Sequence, residues 1–464
     1  MKEIIKPVEK SLIMSELTCD RLLRHSNKGD NEIYVVDAHN SPNTMREIGR
    51  LREIAFREAG GGTGKECDID EFDTMPTPCQ QLIVWNPSEQ EIIGGYRFIL
   101  GENIRFDENG VPNGIIEETP AMMPFLMQIF SPEQMQKLPA VIGKANDEYL
   151  SCGITTVSEG GGDVAMLQLV EPMIQAGILK TRYVLCCSEQ NGQISQPEIH
   201  VPDKIFEGPV KLVQDGSIQC YTAYLSEPYA TNHPVRVKPD GYRGFPHMST
   251  EVLQQKIEAI IDMGKPFAIH ANGDATIDVI IEAVSHCRNL DKIQPRNLII
   301  HCQTVRDDQL DKMKELSLYP SFFPAHIYVW GDRHANNFLG QERASRISPC
   351  ASALNRGLRI SLHNDEPVTK AEPLGLVWNA VSRTTSSGKV LGAEQAISVY
   401  DALKAVTIDS AWQYHLEDKL GSLAAGKKAD FIVLAQNPLT CAVDEIPHIL
   451  IEQTWVDGKQ VWSK

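Results

Sequence analysis

Seven short, continuously apolar segments recur along the chain at 154–158, 183–187, 210–213, 267–270, 298–301, 319–323 and 358–362, separated by longer segments of helical period. An unbroken apolar run suits a parallel strand covered on both faces, because neither face meets water and the alternation of a half-exposed strand is lost. The intervening segments 250–263, 275–288 and 307–316 carry helix signals, the first opened by Ser249 or Thr250 as N-cap and closed by Gly264. Seven β-then-α units in series point to a (β/α) barrel rather than a doubly wound sheet. The expected fold class is therefore α/β, a TIM-like barrel whose eighth strand must come from elsewhere, since such a barrel closes with eight.

The flanks differ in character. Past residue 401 the pattern gives a helix to about 411, then short strands at 430–434 and 454–462 with Asp457-Gly458 as a hairpin turn, a small C-terminal β appendage over 412–464. The first hundred residues hold a basic helical stretch at 45–58, the glycines Gly60, Gly61 and Gly62, and a strand-like pair at 81–85 and 92–100 joined through Asn86-Pro87-Ser88. They are expected to pack as a separate α+β segment, 1–101, with the boundary near Gly101 and the barrel over 102–411.

Charge narrows the partners. Sixty-one acidic against forty-four basic residues leave −17, which repels phosphate backbones and anionic lipid, so neither nucleic acid nor a membrane surface is expected to bind. No apolar run reaches the roughly 18 residues of a membrane span; the longest, 121–130, is interrupted by Pro124. The charged stretch from Met1 to Lys10 lacks the apolar core of a signal peptide, so the expected location is cytoplasmic. Eleven cysteines without a C-x-x-C pair indicate neither a disulfide framework nor a thiolate zinc cluster. A small-molecule partner remains.

Barrel chemistry sits at the carboxyl ends of the strands, and reading those ends in order gives Glu159, then Lys211 with Asp215, His270, His301, His326 and Asp365. Singly, each has a bland reading: a histidine ending an apolar strand is more often a hydrogen-bonded structural residue, and Lys211 alone a salt-bridge partner. Jointly they are the donors of a hydrolytic metal site, since imidazole nitrogens and carboxylate oxygens suit Zn²⁺ or a similar ion whose bound water becomes a nucleophile near neutral pH. His233, His247 and His286 fall in loop or helix positions without an assigned role.

At these residues the chain resembles the amidohydrolase superfamily, in the branch that contains N-substituted formamide deformylases, from about residue 102 to the C-terminus. The turn Phe106-Asp107-Glu108-Asn109-Gly110, the strand Gly153-Ile154-Thr155-Thr156, Lys211 followed by Asp215-Gly216-Ser217, His270-Ala271-Asn272-Gly273-Asp274, and Gly421-Ser422 with Lys428-Ala429-Asp430 carry the likeness. The resemblance implies that His270 and His301 are metal ligands, Lys211 a carboxylated bridging ligand, and Asp365 both a ligand and the proton shuttle. His326, Trp330 and Arg333, in the loop after strand seven, would face substrate, with Arg333 holding an anionic group or resting in a solvated salt bridge. The implied activity is hydrolysis of C–N bonds in amides, formamides or cyclic amides with one or two divalent ions, zinc in the first instance.

One departure is large. The superfamily carries an H-x-H pair on its first strand, and this sequence has none; its nearest imitation is the run 33–36 followed by Asp37-Ala38-His39, with Ser41 in place of the second histidine. Instead the first hundred residues resemble the GNAT-like, haemolysin-related acyltransferases that acylate amino acids, through Ser41-Pro42-Asn43-Thr44-Met45-Arg46, Asp68-Ile69-Asp70-Glu71-Phe72-Asp73 and Gly94-Gly95-Tyr96-Arg97. The later glycine-rich turn of that family is absent, and the segment 60–65 is no phosphate loop because Glu66 follows Lys65. Losing H-x-H removes most of one metal position and would impair activity. The alternatives are a catalytically inactive metal-binding scaffold, whose unclosed barrel edge would drive homo-oligomerisation, the product of a junction between unrelated genes, and an N-acyltransferase.

Overall fold

The apolar segments pair in parallel, and their register sets everything above them. The structure is a computed structural model describing residues 2–26, 29–58, 63–75, 78–98, 132–189, 194–231 and 239–464. It divides into two compact units, Met1–Gln128 and Ile129–Lys464. The boundary near Gly101, the turn at 106–110, the apolar run 121–130, the glycines Gly60 to Gly62 and His233 lie outside the described residues.

In the larger unit the strands Val210–Val213, Phe267–Ala271, Asn297–His301, Leu318–Phe322 and Ser361–Leu362 form one parallel five-stranded sheet in chain order. Thr156–Gly162, Arg182–Cys187 and Ile205–Glu207 form a second, three-stranded parallel sheet. Among the described residues a parallel bridge between Ser188 and Lys211 links the two. Among the described residues no closed barrel is found.

Side chains alternate across each strand. Val210, Leu212, Phe267, Ile269 and Ile299 face the helices and pack on Leu253, Ile257 and Ile260 of Thr250–Asp262 and on Ile277 and Ile280 of Asp274–Ser285. Fully burying each such aliphatic side chain contributes about 1.5–3 kcal/mol, so this layer holds the sheet to its helices. The first helix begins as its sequence predicts, with the Ser249 side chain accepting from Val252 N–H and Gly264 in the left-handed region just beyond its end.

Two predicted strands change extent. The segment 154–158 moves forward to Thr156–Gly162 because pairing with Arg182–Cys187 resumes at Gly162 after a register shift. A Cβ on Gly162 would stand 2.6 Å from Leu185 Cδ1, so a larger residue here would have to displace that side chain. The segment 358–362 contributes just Ser361–Leu362 to the ladder; Leu358 and Ile360 are buried in the core without strand pairing.

The C-terminal strands Phe431–Leu434, Ile451–Val456 and Lys459–Ser463 form an antiparallel sheet, with Asp457 and Gly458 both at positive φ in the hairpin. Arg182, fully buried, fastens it: its guanidinium donates to both oxygens of Asp430, at 2.7 and 2.9 Å, and to Asp457.

The smaller unit is an antiparallel sheet of Leu22–His25, Glu32–Val36, Gln80–Asn86 and Glu91–Phe98 with the helix Pro42–Glu58. Its last two strands pair as the sequence pattern predicts. Glu32–Val36 pairs antiparallel with Gln80–Asn86. That removes the run 33–36 as a barrel strand: Asp37 accepts from His39 N–H and Asn40 N–H in a turn that leads into the helix, so His39 belongs to a helix entrance. Among the described residues no helix is long and apolar enough to cross a membrane.

Candidate functional site

Parallel register sets His270 opposite Val213 on one side and Ile300 on the other, one position before the pair His301 and Ala271. Since Ile269 and Ala271 face the helices, Ala268 and His270 face the other side of the sheet, as does Lys211, whose register partner is Ala268. Alternation would place His301 with Ile299, toward the helices. His301 and Cys302 instead take φ of +68° and +49°, a rare conformation for residues other than glycine, and the strand end turns. The His301 ring then meets His270 edge to face at 4.6 Å between centroids. Asp365, itself at φ +54°, sets Oδ2 3.8 Å from His301 Nε2.

Asp215 builds the floor under His270. Its fully buried carboxylate accepts from Asn272 N–H at 3.0 Å, Gly273 N–H at 2.8 Å, Thr276 Oγ1 at 2.7 Å and Tyr224 N–H at 3.2 Å. The same Oδ1 lies 3.2 Å from His270 Nδ1, and Asn272 Nδ2 lies 3.3 Å from Nε2. This joins Asp215 and Asn272-Gly273 in one hydrogen-bonded cradle beneath an imidazole, while Asp274 bonds Ser226 and Arg306 instead.

Burial governs the charges. Desolvation pushes the Lys211 amine below its usual range, opposed by the negative charges of Asp365 and Glu159, and it pushes the Glu159 carboxyl up, opposed by Lys211. His301 is held well below the ordinary imidazole range by burial and then by the neighbouring His270, His363 and His326 rings. His326 is lowered in the same way by burial first and His334 second.

Two histidines without an expected role join this cluster. His363 is pushed down to about 4 by burial against the pull of Asp365, and its Nε2 stands 3.1 Å from His301 Nδ1. His334 is fully buried, lowered to about 3 by burial, and neither ring nitrogen has a partner. The spacing His363-Asn364-Asp365 was the available signal for the first; nothing local marked the second.

The loop residues expected at substrate separate. His326 is buried, its ring 5.9 Å from His301 and 5.5 Å from Trp330, with Nδ1 unpartnered. Trp330 is half-buried and packs on the core. Arg333, at the end of the helix Ala325–Arg333, is exposed.

Whether a cation fits follows from these donors. The unpartnered nitrogens of His326 and His334 and the neutral bias of the buried His301 and His326 imidazoles suit a divalent ion. Number is the constraint: no group of three or more His, Cys, Asp or Glu among the described residues stands in ligating positions. Among the described residues the imidazole and carboxylate donors alone therefore fall short of a closed ligand set, and a cation here would need a further donor such as Lys211.

Comparison with known proteins gives two matches. A model of the amidohydrolase family matches residues 95–462, and an acetyltransferase (GNAT) domain matches 51–124. A glycine N(alpha)-acyltransferase of Bacteroides thetaiotaomicron is 64% identical over 112 residues, 24% of this chain and 33% of that protein. An N-substituted formamide deformylase of Arthrobacter pascens is 29% identical over 197 residues, 42% of this chain and 36% of that protein. The chain thus spans about a third of the length of each of these relatives. An uncharacterized metal-dependent hydrolase from Pyrococcus horikoshii OT3 shares the fold with a TM-score of 0.59 and 24% identity, over 79% of this chain and 71% of the other.

Proposed function

The chain belongs to the amidohydrolase family, and from that premise we propose that it is a metal-dependent hydrolase of C–N bonds in small amides, formamides or cyclic amides. The observation that carries this reading is the meeting of His270 and His301 at 4.6 Å on neighbouring strand ends, with Asp365 3.8 Å from His301 Nε2. Lys211, His270, His301 and Asp365 would hold one divalent cation, zinc in the first instance; when bound, it supplies a polarised carbonyl and a water acidic enough to attack near neutral pH.

Asp365 takes the proton of the attacking water and delivers it to the leaving nitrogen, which its exposed position permits. His326 and Trp330 bound the substrate on one side, and Arg333 attracts an anionic substituent. The reading includes a (β/α) barrel over 102–411 with its first strand missing, a segment 1–101 and an appendage 412–464, in a cytoplasmic protein that can self-associate along the open sheet edge.

Metal analysis of the purified full chain beside a panel of N-substituted formamides and N-acyl compounds tests this. We expect at most about one ion per chain, lost in His270→Ala because the remaining donors bind weakly, and slow hydrolysis. No ion under any loading condition would sink the reading in favour of an inactive scaffold; two tight ions with fast turnover would sink the one-cation form. The 64% identity to a glycine N-acyltransferase favours a second reading, N-acyl transfer, which binding of a thioester acyl donor would support.

A further inference from the structure

Access to the site is uneven. The Asp365 side chain is 44% exposed and that of His270 18%, whereas His301, His326 and His334 are buried. The three buried rings lie together, His326 standing 5.9 Å from His301 and 6.1 Å from His334 between centroids. A substrate that is to lie against His326 therefore needs an element to move. Two of these rings belong to one element, the helix Ala325–Arg333 and the turn His334–Phe338 that continues it.

The closed position of this element is held by opposing terms. Burial of Ile327 and Phe338 keeps it down. Against that, both ring nitrogens of His334 and Nδ1 of His326 are buried without a hydrogen-bond partner among the described residues, so closure takes three polar atoms out of water with nothing in return. The turn His334–Phe338 is a π-helix, closed by Leu339 N–H on His334 O at 2.9 Å, a rare conformation that occurs mostly as single turns and frequently at functional sites.

The anchors and ends suit a swing. Asp332 accepts from Ser387 N–H at 3.1 Å and from Ser387 Oγ at 2.7 Å, and Ser386 N–H donates to Tyr328 O at 3.0 Å. Ala230 N–H and Thr231 N–H donate to Phe338 O and Asn337 O. All four of these partners, Ser386, Ser387, Ala230 and Thr231, are exposed, where water can replace each bond. Pro324 precedes the helix, and Gly340 follows the π turn at φ +78°, a conformation that glycine takes freely, with nothing within 4 Å of where a Cβ would stand.

We propose that the segment 325–339 is a lid, poised by the burial of Ile327 and Phe338 against the unmet hydrogen bonds of His334 and His326 and latched by Asp332 on Ser387, whose opening admits substrate to His326 and His301. The admission part rests on the proposed function; the lid part rests on the geometry alone. Open, the three nitrogens meet water, and the site is reached through a gating step rather than a standing pocket.

Hydrogen exchange of the full chain, read by mass spectrometry on fragments that cover 325–339, tests the lid without any substrate. In the wild type these amides are expected to exchange faster than those of the strand Phe267–Ala271 and with little dependence on added urea, the mark of a local opening that exposes little surface. His334→Leu nearly keeps the volume and removes two unmet polar atoms, so exchange in 325–339 should slow by about tenfold or more. Loss of a side chain with a merely structural role would speed it. Ser387→Ala, at an exposed position, should speed exchange by about threefold or more through the lost bond to Asp332, and carries the test if His334→Leu does not fold. Wild-type exchange as slow as in the strand with the same urea dependence, faster exchange in folded His334→Leu, or unchanged exchange in a folded variant overturns the lid. The expected exchange in a chain that hydrolyses none of the formamides and N-acyl compounds supports the lid and sinks the hydrolase reading instead.

Discussion

His334 shows what a single buried imidazole costs. Burial holds it neutral down to about pH 3, whereas an unfolded histidine titrates near 6.5, so between these values the unfolded chain binds the extra proton. Stability contributed by keeping it neutral is therefore present above about 6.5 and is lost as pH falls toward 3, by about 2 kcal/mol at pH 5. In His334→Gln the drop in unfolding free energy from pH 7 to pH 5, read by urea denaturation, should shrink by about that amount. Asp215 acts through its hydrogen bonds, and its loss leaves three backbone N–H groups without a partner. Asp215→Ala should lower stability by about 3 kcal/mol or more, and in variants that still fold it should loosen His270 and weaken cation binding; an unchanged urea midpoint would contradict the cradle.

At the scale of elements, most strands were legible in the sequence because a fully covered parallel strand must be apolar throughout. What failed were the ends, where pairing decides: the strand runs on to Gly162, which pairs with Cys187 after a register shift that begins past Glu159. Arg182 was silent in the sequence, yet it joins the second sheet to the appendage through Asp430 and Asp457. Against the upward pull of burial, hydrogen bonds from Lys204 and Arg182 hold Asp457 down to about 2. Arg182→Leu should therefore cost about 3–5 kcal/mol by stranding partly buried carboxylates, with the loss read in the urea midpoint. Part of it should be regained below pH 4, as those carboxylates protonate.

At the scale of the molecule, the two units have separate cores of unequal size. The smaller rests on Ile13, Tyr34, Val36, Met45, Ile48, Ile83 and Trp85, while the larger has the extended layer between the five-stranded sheet and its helices. Calorimetry should resolve two transitions, the smaller unit melting first, because burial per residue falls with core size. A single cooperative transition with equal calorimetric and van't Hoff enthalpies would refute this.

Residue order alone determined that a run of parallel strands would carry Lys211, His270, His301 and Asp365 near their ends, since strand period and strand end are local properties. It also determined that H-x-H is missing. Only the tertiary structure decided that His301 turns against its strand's alternation, at φ +68°. It alone brought His363 onto His301 from 62 positions away and set Ser321 beside Ser361. The difference is physical: periodicity needs only neighbours along the chain, whereas a ring-to-ring contact depends on the register between strands, which is set by packing that no short segment contains.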